Sequence, residues 1–304
     1  MGAERDNSRR LAHGVHESAG SSIPPGRMRL CSGRVVHFPA VMGVLNVTPD
    51  SFSDGGLYLD PGRAIDHAIE MQEAGADIID IGAESTRPSG ARSVSAEEEL
   101  TRLEPVFRGL RGRLRIPISI DTRKAVVARM AIEHGAAIIN DVTALGYDPA
   151  MAPLAARTRS AVVLMHMRGS PEDHMRHARY RDVVIAVTGY LASRAKFAIQ
   201  AGIAPSRIIL DPGIGFSKTA RHNLALLNAL PALCALGYPV LVGSSRKSFI
   251  RRIAGDTPRA LAFGTVAVDA LAVAAGASIV RVHDPEAARA AVRIAAAMRA
   301  ARKR

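Results

Sequence analysis

The chain of 304 residues is 48% hydrophobic and 22% charged, enough apolar content to bury a sizeable core, which excludes global disorder. Its two cysteines, Cys31 and Cys234, exclude a disulfide framework and a cysteine-rich zinc module. The net charge is +12 and all but five of the 40 basic residues are arginine, but aromatics are only 4% and tryptophan is absent, which disfavours stacking on single-stranded nucleic acid. No apolar run approaches the ~20 residues of a membrane span, and MGAERDNSRR lacks the apolar core of a secretion signal. The expectation is a soluble, cytoplasmic, reduced protein whose partners include neither nucleic acid nor membrane.

Residues 1–26 are polar and end in the cluster AGSSIPPG, so they read as a disordered extension ahead of one domain over 27–304. RMRLCSGRVVHF (27–38) reads as a hairpin turning at Ser32-Gly33. From Val41 onward, strand-length apolar runs alternate with stretches of helical period. The runs are VMGVLNV (41–47), DIIDIGA (77–83), IPISIDT (116–122), AIINDVT (137–143), AVVLMHM (161–167), RIILDPG (207–213), PVLVGSS (239–245) and SIVRVHD (278–284). They are apolar on both faces, as buried parallel strands are. Four times a glycine-containing helix end runs directly into a strand: EAGADIIDIG, EHGAAIINDV, QAGIAPSRIILDPG and AAGASIVRVHD. Eight βα units predict an α/β (β/α)8 TIM barrel as a single domain. A doubly wound open sheet is the alternative, weakened because no GxGxxG follows the first strand.

In such a barrel the site lies at the C-terminal ends of the strands. Those ends carry Asn46, Glu84-Ser85-Thr86-Arg87, Asp121, Asn140-Asp141, His166, Asp211, Ser245-Arg246-Lys247, and Arg281 with His283. Asp121, Asn140, Asp211 and Lys247 form a set of acceptors and donors suited to a flat heterocycle with several N–H groups. Asp121 and Asp211 each also fit a helix N-cap; together with Lys247 they favour a site. Arg87, Arg281 and His283, with Arg246 and Lys218 as further candidates, form a cationic set suited to a phosphate or diphosphate. Without a P-loop, HExxH or Cys/His cluster, an octahedral Mg²⁺ held largely by substrate oxygens and water is expected, with Asn46 as a metal contact and Thr86 as an anion contact. His166 reads as a core histidine, and Met165 and Met167 as packing residues, one of them against a ligand ring. His174 and His177 carry no assigned role. TPDSFSDGG (48–56) and STRPSGARSVSAEEE (85–99) read as lid loops, the second also as a serine cap opening a helix.

MGVLNVTPDSFSDGG, GAESTRPSG, ISIDTRK, IINDVT, LMHMRG, ILDPGIGFSK, VGSSRKSF and IVRVHD together resemble the bacterial dihydropteroate synthases of the pterin-binding family over residues ~41–290. The resemblance implies a (β/α)8 fold and a transferase condensing 6-hydroxymethyl-7,8-dihydropterin diphosphate with 4-aminobenzoate in folate biosynthesis. It implies Mg²⁺, sulfonamide competition and a homodimer. Residue by residue, it implies that Asp121, Asn140, Asp211, Lys247 and Met165 hold the pterin. Thr86, Arg87, Arg281 and His283 would surround the diphosphate, and Asn46 would contact Mg²⁺. Thr86, Pro88, Phe216, Lys247 and Ser248 would form the aminobenzoate pocket, and Asp121, Lys247, Arg281 and His283 would act in catalysis. Ala83, Arg123 and Ile214 depart from the common pattern, and Arg123 is expected to adjust the electrostatics beside Asp121. Three alternatives are a pterin-dependent methyltransferase of the same fold, a non-catalytic pterin-binding paralogue, and a nucleic-acid binder driven by net charge.

Overall fold

The computed structural model describes residues 26–48, 60–84 and 94–301. The expected extension over residues 1–25, most of both lid-loop candidates, and Thr86, Arg87 and Pro88 lie outside the described residues.

The N-terminal hairpin pairs β1 (Arg27–Arg29) with β2 (Val35–His37), Met28 opposite Val36. It turns where expected, with Gly33 at φ +82 and its N–H on the Leu30 carbonyl. Eight strands follow: β3 (Ala40–Asn46), β4 (Ile78–Gly82), β5 (Ile118–Asp121), β6 (Ala136–Asp141), β7 (Ala161–Met165), β8 (Ile208–Asp211), β9 (Leu241–Val242) and β10 (Ile279–Val282). The helices are α1 (Pro61–Glu73), α2 (Ala96–Leu110), α3 (Ala125–Glu133), α4 (Met151–Thr158), α5 (Val183–Gln200), α6 (Ala220–Asn228), α7 (Leu230–Cys234), α8 (Ser248–Ala254), α9 (Pro258–Ala274) and α10 (Pro285–Ala301). All neighbouring strands are parallel in the order β8-β7-β6-β5-β4-β3-β10-β9. A parallel bridge between Leu210 and Val240 joins the two ends, giving a (β/α)8 barrel rather than an open sheet.

Local signals explain the elements. Ser95 caps α2 by accepting from the Glu98 N–H at 3.1 Å, and three glutamates fill the first turn. The repeated glycines Gly75, Gly135, Gly202 and Gly276 all have positive φ just past helix ends, as the repeat predicted. The seventh barrel strand is shorter than its apolar run suggests. Pro239 has no N–H for the ladder, and Ser244 and Ser245 leave it to bond Asp269 and His283.

Strand parity divides the side chains. Ile79, Ile81, Ile120, Ile139, Leu164 and Leu210 face the helices. Ala40, Met42, Ile78, Ile138, Val163, Ile209, Leu241 and Ile279 form an inner layer. Met28, Leu30 and Val36 of the hairpin pack into that layer, so β1 and β2 plug the N-terminal end of the barrel. No single helix among the described residues is long and apolar enough to cross a membrane.

Candidate active site

The same parity that turns aliphatic side chains inward at one end of each strand turns polar ones inward at the other. Gly82, Asp121 and Asn140 lie in register on adjacent strands. A β-carbon on Gly82 would stand 3.1 Å from Asp121 Cβ, closer than an ordinary contact. Arg281 reaches across from β10. Its Nη2 donates to Asp121 Oδ2 at 2.7 Å, and its Nε donates to Asp80 Oδ2 at 2.6 Å. Asn140 Nδ2 donates to the same Asp80 oxygen at 2.8 Å. Asp121 does not cap α3, whose first N–H groups include that of Ala125 donating to Asp148 Oδ2. Asp211 closes a turn by accepting from the Gly213 N–H at 2.6 Å.

The electrostatics follow from crowding charge into a nearly closed space. Burial pushes the Asp121 carboxyl up to about 7; Arg281 opposes the rise and Asp80 adds to it, since two buried carboxylates share one guanidinium. Burial likewise raises Asp211 to about 6 against the Gly213 hydrogen bond and the field of Lys218. Lys247 is lowered to about 8, by burial first and Arg281 second, with Asp211 and Asp121 opposing. Its Nζ stands 4.0 Å from the centre of the Phe216 ring.

Val142, Met165, Met167 and Phe216 form a separate apolar cluster at the ends of β6, β7 and β8, a flat wall beside the polar floor. The loop carrying Phe216 is held from behind. Ser217 N–H donates to His174 Nδ1 at 2.9 Å, and Ser217 Oγ both accepts from Arg168 N–H and donates to Arg168 carbonyl. Lys218 Nζ donates to the Phe216 carbonyl at 2.8 Å, to the His166 carbonyl at 3.2 Å and to His166 Nδ1 at 3.0 Å. Burial beside Lys218 lowers His166 to about 3, so the ring is neutral and accepts. His283 lies on the far side, where Ser245 Oγ accepts from its N–H at 3.3 Å and lies 2.9 Å from Nδ1.

A model of the family described as pterin-binding enzymes matches residues 42–283. The chain belongs to the pterin-binding enzyme family. It is 48% identical over 248 residues to the dihydropteroate synthase of Synechocystis sp., covering 81% of this chain and 86% of that protein. It is 49% identical over 244 residues to that of Bacillus subtilis, covering 80% and 83%. Among solved structures, the dihydropteroate synthase of Xanthomonas albilineans with 4-aminobenzoic acid superposes with a TM-score of 0.84 at 44% identity, covering 90% of this chain and 98% of that one. The same enzyme in complex with 7,8-dihydropteroate gives 0.81 at 41% identity, covering 90% and 99%.

Within this pterin-binding fold, Asp121, Asn140, Asp211, Lys247, Arg281, Met165 and Phe216 converge on one end of the barrel. Ser248 is the first residue of α8, directly after Lys247, and Asn46 ends β3 on the same rim. Two cationic candidates do not join the set. Lys218 is buried with its ammonium turned to carbonyls, and Arg246 is exposed while lining a separate cavity against α9. Arg123 Nη2 lies 3.0 Å from Glu84 and 3.2 Å from Glu172, with the guanidinium over Tyr147, while Arg281 is the cation hydrogen-bonded to Asp121. Ala83 and Ile214 are buried in the core. Asp80, His174 and Ser217 escaped the sequence reading. For Asp80 the signal was present: a carboxylate in the middle of IIDIG shares the inward parity of Gly82, and buried charges need partners.

Proposed function

We propose that the chain is a dihydropteroate synthase, a transferase that condenses 6-hydroxymethyl-7,8-dihydropterin diphosphate with 4-aminobenzoate to give 7,8-dihydropteroate and diphosphate. The observation that carries the reading is the Arg281-linked floor, in which Asp121, Asp80 and Asn140 form one hydrogen-bonded unit beside Asp211, Lys247 and an apolar wall. Carboxylates accept from the pterin's ring and amino N–H groups, Lys247 donates to a ring acceptor, and Met165 packs on the ring face. The aminobenzoate lies along Phe216, Lys247 and Ser248; the roles of Thr86 and Pro88 in its pocket rest on the family resemblance. Arg281 and His283 flank the diphosphate; the roles of Thr86 and Arg87 beside it rest on the family resemblance.

The reaction breaks the bond from the exocyclic carbon to the diphosphate oxygen, which leaves with the electron pair. The amine nitrogen of aminobenzoate then bonds that carbon and loses a proton. Positive charge spreads over the pterin as the leaving group departs, and ionised Asp121 beside the ring stabilises it. Asn46 offers a hard amide oxygen on the rim, a donor that fits Mg²⁺, and substrate oxygens and water would fill the remaining positions. The ion would neutralise charge on the diphosphate. Competition by sulfonamides, residence in the cytoplasm and a homodimeric state belong to the same reading; exposed Phe263, Leu271, Ile294 and Met298 on α9 and α10 support the dimer.

Incubating the protein with the pterin diphosphate, 4-aminobenzoate and Mg²⁺ should release diphosphate and form dihydropteroate in equal amounts. No release with both substrates present, or release without aminobenzoate incorporation, would refute the reading. A methyltransferase of the same fold has no use for a cationic set beside the pterin floor.

A further inference from the structure

We infer that Asp80, a residue that touches neither substrate, positions the two halves of the site against each other. Asp80 is fully buried in the barrel interior, one inward step below the rim on β4. A single oxygen, Oδ2, accepts both from Arg281 Nε at 2.6 Å and from Asn140 Nδ2 at 2.8 Å. Each bond removes a freedom that matters above it.

The first concerns Arg281. A guanidinium on a long stem samples many positions, and Asp121 alone holds it by Nη2. Asp80 takes Nε from below, so the planar group is fixed at two edges. The remaining N–H groups then have a set direction. Asp121 and Arg281 also keep a defined separation, with Nη2 held 2.7 Å from Oδ2.

The second concerns Asn140. A carboxamide can present either its oxygen or its NH₂ to a ligand, two shapes of almost equal volume and opposite chemistry. Asp80 Oδ2, accepting also from Arg281 Nε, binds Nδ2 and turns Oδ1 to the pocket. Asn140 is thereby read as an acceptor, which selects heterocycles with an N–H at that edge and rejects those with a bare nitrogen. One buried carboxylate thus sets the polarity of the pterin floor and the aim of the cation. The aminobenzoate wall of Phe216, Lys247 and Ser248 has no bond to it among the described residues.

This inference rests on the synthase reading, and wild-type turnover tests that reading separately. The inference itself is tested with Asp80→Asn and Asp80→Ala. Asp80→Asn keeps the volume but can offer NH₂, so Asn140 is free to flip. Its kcat should fall roughly a hundredfold, the loss typical of a small misplacement. Affinity for a pterin lacking the diphosphate, measured by calorimetry, should fall about tenfold. KM for aminobenzoate should stay within about twofold, because that pocket is held elsewhere. An Asn140→Ala background should abolish most of the pterin-affinity effect, since the amide to be oriented is gone. A purely structural role would lower the melting temperature and shift all three constants together. That pattern, or an Asp80→Asn protein with wild-type pterin affinity and kcat, would overturn the inference. If Asp80→Ala fails to fold, the Asn variant and its double mutant still decide.

Discussion

At the scale of single residues, the site is a set of groups held near their ionisation midpoints. Asp121, near 7, must be ionised to stabilise charge on the ring, and Lys247, near 8, must be protonated to donate. Raising the pH through 7 creates the first form, and raising it through 8 removes the second. The kcat/KM for the pterin substrate should therefore describe a bell with its maximum between those values. Lys247→Arg should lose the alkaline limb, because arginine does not titrate there, whatever the change in absolute rate. A flat profile from pH 6 to 9 would contradict this assignment. Asp269 on α9 offers a second test, away from the pterin floor. It is fully buried, accepts from Ser244 Oγ at 3.0 Å through Oδ1, and has no partner for Oδ2 among the described residues. Burial raises its carboxyl to about 7. The folded state thus holds the proton more tightly than the unfolded one, and stability present below about 4 is lost as pH rises toward 7. A shift of this size corresponds to on the order of 4 kcal/mol between protonation states. Asp269→Asn should stabilise the protein at pH 8, with the gain fading by pH 4 to 5, as measured by urea melts. A variant destabilised equally at both pH values would refute the account.

At the scale of elements, the βα loops differ in what holds them. The segment after β8 hangs on Lys218 and His174, side chains buried behind the apolar wall rather than facing the pocket. Lys218 is lowered to about 7 by burial, yet its ammonium satisfies two carbonyls and a ring nitrogen. Lys218→Met removes the donor and leaves those acceptors unpaired at a cost of roughly 1–3 kcal/mol. The Phe216 loop should loosen, raising KM for aminobenzoate several-fold while pterin affinity, read by calorimetry, changes little. A pterin affinity falling as much as the aminobenzoate one would place Lys218 in the pterin floor instead. The loop after β5 is tied differently, by an ion network of Arg123 and Lys124 with Glu84, Glu99 and Glu172. This network joins the base of the second lid-loop candidate to α2 and to the segment after β7.

At the scale of the whole molecule, the hairpin plug and the polar rim divide the barrel into a structural end and a reactive end. The outer surface has its own asymmetry. Phe263, Leu271, Ile294 and Met298 are exposed on α9 and α10, which pack against each other. A second copy of the chain covering this face fits the proposed homodimer. Leu271→Arg should shift the protein to monomer in sedimentation equilibrium, with the pterin floor intact. An unchanged assembly state would locate the interface elsewhere.

Much of this was determined by local sequence. Apolar runs of strand length, glycines with positive φ after helices, and the serine before EEE each act over a few residues, so the order of elements and the barrel were readable. The strand ends also told which polar residues would share the rim, because the C-terminal ends of barrel strands open onto one face. Pairings were a different matter. Asp80, Asp121, Asn140 and Arg281 meet only because β4, β5, β6 and β10 close into one barrel with a particular stagger. That register is a property of strands far apart in the chain. The fate of the cations was decided at the same level. Arg123, Lys218 and Arg281 are equally basic in sequence, but burial and the nearest acceptors direct the first to glutamates, the second to carbonyls and the third to the two carboxylates of the floor.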